Sequence, residues 1–135
     1  MKKLVEQAVY EKLRALAGGQ VYALRAPQNV SGDFIVFQRV NSARWRSINA
    51  PSGVAQATIQ VDSYSNTYYG AKELGALVET ELDGFRGIVA YGDGSPQETI
   101  DIGGISLQSD VDLIEQTDEP FLYRNLMTFL VTYDQ

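Results

Sequence analysis

The sequence predicts an α+β fold, with two helices packed on a mostly antiparallel β-sheet in the order α-β-β-β-α-(β)-β-β. Three observations predict it. Apolar residues recur at helical spacing in two stretches, one near the start and one after residue 65. Between and after them lie apolar or alternating runs of strand length. Clusters of Gly, Pro, Asn and Asp punctuate the junctions.

The first helix is expected over residues 3–17, where Leu4, Val5, Ala8, Val9, Leu13 and Leu16 form one stripe and Gly18-Gly19 supply the stop. Val21 to Leu24 reads as a short strand ended by Pro27. Phe34 to Val40 opens almost wholly apolar, the pattern of a strand covered on both faces. A polar loop is expected from Asn41 to Gly53. Residues 54–64 then alternate, with Ala55, Ala57, Ile59 and Val61 on the buried side.

Ser65, Asn66 and Thr67 are candidate N-caps for the second helix. Its stripe is Ala71, Leu74, Gly75, Val78 and Leu82, widened by Leu77, and Gly84 ends it. Phe85 to Tyr91 is a strand or a connection, followed by turn chemistry at Gly92 to Pro96. Ile100 to Ile114 reads as extended, with a bulge or bend at Gly103-Gly104, and Glu119-Pro120 breaks it. The last strand runs from Phe121 to Tyr133. Tyr123, Met127, Phe129, Val131 and Tyr133 share one face. Leu122, Leu126 and Leu130 fall on the other, which therefore needs cover from a helix or another subunit.

The chain of 135 residues is read as one domain, 1–135, long enough to carry a core without staples. It has no cysteine and no histidine. That removes Ser-His-Asp and Cys-His catalysis and the ordinary zinc sites. No run approaches the ~18 apolar residues of a membrane span, and no signal peptide follows the Met1-Lys2-Lys3 start, so no membrane partner is expected. Asp110 and Asp112 share a strand face, with Asp101, Glu115, Asp118 and Glu119 nearby in sequence. Such carboxylates can hold a divalent cation through oxygen. They lack the spacing and turn glycine of a calcium loop, so the reading is a solvated edge that discourages strand pairing.

Net charge is −6, which disfavours a protein that grips phosphate. Its distribution is uneven: residues 1–90 hold 10 basic and 8 acidic side chains, and residues 91–135 hold Arg124 alone against 9 acidic ones. Trp45, the single tryptophan, stands between Arg44 and Arg46. Trp and Arg are enriched at binding hot spots. Two readings stay open, an interface loop and a tryptophan folded back onto its own domain.

Several stretches in this order look familiar: 21–28 (Val21-Tyr22-Ala23-Leu24-Arg25-Ala26-Pro27-Gln28), 34–38, 57–64, 82–87 and Phe121-Leu122-Tyr123-Arg124. The chain resembles the phage tail-completion family, the tail-terminator or head-to-tail joining proteins of long-tailed phages and prophage particles. The family often has a proline where this chain has Asp33, and the acidic 91–120 segment matches least well. The resemblance implies a ring, generally a hexamer, that caps the tail tube and docks to the head connector or head-completion protein. DNA passes through as cargo, and no cofactor, metal or catalytic residue is expected. The protein is then a virion component made in the cytoplasm of a bacterial host. The alternatives are another head-tail connector or tube adaptor, or an unrelated small ligand-binding domain. The candidate subunit or partner interface is Arg44, Trp45, Arg46 and Ile48 against the acidic segment with Asp93, Asp110 and Asp112. A ring closes through unlike faces, which such a charge split can supply.

Overall fold

Phe129, Val131, Ile59 and Val61 have no exposed surface and mark the centre of the core, under two helices that share one sheet face. A computed structural model describes residues 4–28, 30, 32–46, 51–117 and 120–134, with backbone alone for 42–46 and 51–53. The elements run α1 (Val5–Leu13), a 3-10 segment (Leu16–Gly19), β1 (Val21–Ala23), β2 (Phe34–Arg46), β3 (Pro51–Ser65), α2 (Tyr68–Leu82), β4 (Gly87–Tyr91), β5 (Glu98–Gln116) and β6 (Leu122–Asp134). The six strands form one sheet in the order β1-β2-β3-β6-β5-β4. Among the described residues only β1 and β2 pair in parallel.

The first helix is shorter than its apolar stripe. α1 stops at Leu13, and the chain turns through Ala17 and Gly18, both at left-handed φ, to enter β1. Leu4 offers no side-chain cap, so the helix depends on burying Val5, Ala8, Val9 and Leu13. In α2 the cap is Thr67, whose Oγ1 accepts from Gly70 N at 3.0 Å. The buried stripe is Ala71, Leu74, Gly75, Val78 and Leu82. Leu77 does not widen it: the residue is 51% exposed, one helical step off the sheet. Gly84, at φ +81°, takes the left-handed position just past the helix.

The expected Asn41–Gly53 loop is mostly strand. β2 continues to Arg46 and β3 begins at Pro51, with Asn41 opposite Thr58 and Arg44 opposite Ala55. Polar side chains hid this extension, because strand formation there follows from pairing with a neighbour rather than from the residues' own preference. A register shift between Arg39 and Asn41 breaks the alternation at the same place. At the start of β2 both faces are covered, with Ile35 and Phe37 in the core and Phe34 stacked on Tyr64 at 4.6 Å.

β6 lies in the middle, between β3 and β5. Its odd residues from Asn125 to Tyr133 are buried beneath the helices. Leu122, Leu126 and Leu130 are half-buried on the opposite face, over which neither helix passes.

Candidate interaction surfaces

The helix-free face holds a charged group at its centre. Arg124 on β6 reaches Asp62 on β3 at 3.1 Å and Glu115 on β5 at 3.3 Å, tying three strands together. Gln60 Nε2 adds a donor to Asp62 at 3.0 Å. Burial raises the Asp62 carboxyl above its ordinary value, and the Gln60 hydrogen bond and the Arg124 charge oppose that rise without cancelling it. A recess of about 350 Å³ opens beside them, lined also by Phe34, Val36, Gln38 and Tyr64. Asp62 and Arg124 are committed to each other there, which leaves structural pairing as their evident work.

A second polar group lies on the helix side, at the far end of β5. Asn125 is 1% exposed, and its Nδ2 donates to Asp110 Oδ1 at 2.7 Å and Asp112 Oδ1 at 3.0 Å. Asp112 also accepts from Lys72 Nζ at 3.1 Å and Tyr68 OH at 3.1 Å, both on α2. Desolvation pushes the Asp112 carboxyl upward, but hydrogen bonds from Asn125, Lys72 and Tyr68 outweigh it and the net shift is downward. The expected solvated edge is exposed, and it also fastens α2 to β5. Among the described residues no strand pairs with this edge beyond Ile102, and all of 108–116 is exposed. No group of three or more acidic residues poised for a metal ion occurs among the described residues.

These two aspartates have opposite linkage to pH. Asp62, raised in the fold, contributes stability that is present below its ordinary value of 3.8 and lost as pH rises through the folded value. Asp112, lowered in the fold, contributes stability present above 3.8 and lost as pH falls through the folded value. Across about pH 3 to 6, Asp62→Asn is expected to gain on the wild type as pH rises, and Asp112→Asn to fall behind it. Urea titrations of both variants at several pH values check the signs; slopes of the same sign would refute the assignment.

Of the interface residues expected from sequence, Asp93 lies apart from Asp110 and Asp112. Asp110 and Asp112 are brought together by Asn125. Asp93 sits exposed in the β4–β5 turn. Glu98 and Asp112 lie on one strand, so about 45 Å of extended chain separates that turn from the aspartate pair. Arg44, Trp45 and Arg46 end β2, near the level of the β4–β5 turn: Val54 pairs with Asp134, and Ile102 with Tyr133. Their side chains, and all of Ile48, fall outside the described residues. Asp62, Tyr68, Lys72 and Asn125 escaped the sequence reading. For Asn125 a signal existed: it is the one polar residue in the buried alternation from Tyr123 to Tyr133.

Residues 7–118 match the family model described as tail completion protein gp17. The chain belongs to that family. Tail completion proteins are structural components of a virion tail. Among solved structures 21 chains match. One, from a structure described as the virion of a native gene transfer agent (GTA) particle, aligns with a TM-score of 0.69 over 94% of this chain and 92% of that chain. At 17% identity the likeness is one of fold. No curated protein sequence matches. Among the described residues, no helix of this tail completion protein is long and apolar enough to cross a membrane.

Proposed function

We propose that this tail completion protein works without catalysis, as a ring of identical subunits that caps the tail tube and joins it to the head connector. DNA passes through the opening. The observation that carries this reading is the lopsided sheet: both helices cover one face, and half-buried leucines of β6 lie on the other with nothing of the same chain's helices over them. Such a face is completed by another subunit or held against a conduit. Net charge of −6 suits a passage that must not retain phosphate. The absence of His and Cys from the sequence removes the common nucleophile–base pairs. Ring closure needs unlike faces on each subunit, and the basic 1–90 and acidic 91–135 portions supply them. A hexamer is the expected count.

Native mass measured against concentration, followed by negative-stain imaging, tests the assembly: closed rings with a central hole are expected. Removing the protein from its particle should leave abnormal tails or unjoined heads and tails. Normal particles without it would end the proposal.

A further inference from the structure

At the end of the sheet away from the β4–β5 turn, four aromatic rings gather in the open. Tyr68 and Tyr69 begin α2, Phe121 precedes β6 and Tyr123 lies on it. Tyr68 meets Tyr69 edge-on at 5.5 Å and Tyr123 edge-on at 6.2 Å, and Phe121 lies 6.4 Å from Tyr123. Ile114 pairs with Tyr123 across the ladder. Tyr69 is 76% exposed, Ile114 50%, Tyr68 44% and Phe121 38%. Single exposed apolar residues are ordinary, but a contiguous group of this kind marks a contact surface.

The group is also held in place. Tyr68 OH donates to Asp112, Asn66 Nδ2 donates to Phe121 O at 2.8 Å, and Gln116 Nε2 donates to Pro120 O at 2.9 Å. A surface fixed before binding loses little freedom on binding.

We propose that this aromatic group is the socket for a second copy of the chain, and that its occupant is the 44–46 end of the neighbour's β2–β3 arm. The inference rests on the ring reading and names the two surfaces that meet. Charge selects the occupant. Residues 108–116, which reach the socket, contain Asp110, Asp112 and Glu115 and no basic residue; Lys72 offsets Asp112, and Glu115 is turned to Arg124 on the other face. The stretch 38–53, which runs from β2 to the start of β3, contains Arg39, Arg44 and Arg46 and no acidic residue. A Trp and two Arg meeting Tyr, Phe and carboxylates is a pairing rich in hot-spot chemistry. Socket and arm lie at opposite ends of the same sheet. The contact is therefore between unlike surfaces, the kind that closes into rings.

The chain's lack of cysteine permits a clean crosslinking test. Oxidation of purified Trp45→Cys/Tyr69→Cys should give a ladder of disulfide-linked species on a denaturing gel, whereas each single variant should give dimers at most. Tyr69→Ser, at an exposed position, should weaken self-association roughly tenfold or more with an unchanged melting curve. Arg44→Glu/Arg46→Glu should do the same. If the wild type forms rings but the double-cysteine protein gives no ladder and Tyr69→Ser associates normally, this inference is wrong and the ring stands. If the wild type never self-associates, alone or on tail tubes, both fall.

Discussion

Arg124→Ala is expected to destabilise the domain by about 3 kcal/mol, the lower end for breaking a buried ion pair from one side. Asp62 is only 5% exposed, and its sole cationic partner among the described residues is Arg124, whose side chain is 19% exposed. Removing the guanidinium leaves a carboxylate in a place that already disfavours ionisation. Most of the loss is therefore a penalty at Asp62 rather than the worth of the pair. Adding Asp62→Asn to Arg124→Ala should return a good part of the stability, measured by urea denaturation with an unchanged slope. A double variant no more stable than Arg124→Ala alone would show that Arg124 acts mainly through its stem packing or through Glu115.

Gly75→Ala should cost about 2 kcal/mol, against the usual direction for Gly→Ala in a helix. Alanine normally gains about 1 kcal/mol there. At position 75, however, a Cβ would run into Asn125 Oδ1, stand 2.8 Å from Asn125 Cγ and press on Met127 Cε at 3.3 Å. Asn125 has little room to yield, because its Nδ2 is tied to Asp110 and Asp112. Its Oδ1 accepts no hydrogen bond among the described residues, so glycine and amide meet as bare surfaces. Overpacking of this kind costs about 1–3 kcal/mol and lifts α2 from β6. Thermal melts of Gly75→Ala, Asn125→Ala and the double variant check it: the double should lose clearly less than the two single losses added. Strict additivity would mean that α2 shifts freely over the sheet.

The parts of this fold that were legible are those with a short-range cause. The stripe of α2 follows from 3.6-residue spacing, its end from Gly84, and the bend in β5 from Gly103-Gly104, where the register with β6 shifts. The strand ends beyond Val40 were not legible, since polar residues there pair only because β3 lies alongside. Leu77 looked like core because the apolar stripe cannot show how far the sheet reaches beneath a helix. For the candidate surfaces the limit was distance. A stretch that is uniformly acidic in sequence spans the length of a strand, so Asp93 parts from Asp110 and Asp112. The aromatic socket joins positions 68–69, 114 and 121–123, which no periodicity connects.

The central place of β6 has a consequence for how the chain reaches its folded state. β6 follows every other strand in the chain, yet it alone joins β3 to β5. Until Leu122–Asp134 has left the ribosome, a nascent chain holds two half-sheets, β1-β2-β3 and β4-β5, each with a long unpaired margin. Such margins are prone to sticking to other chains. Both margins stay unpaired until the last strand to emerge lies between them. In a crowded cell making many copies at once, the interval before that closure is when these two margins are open to other chains.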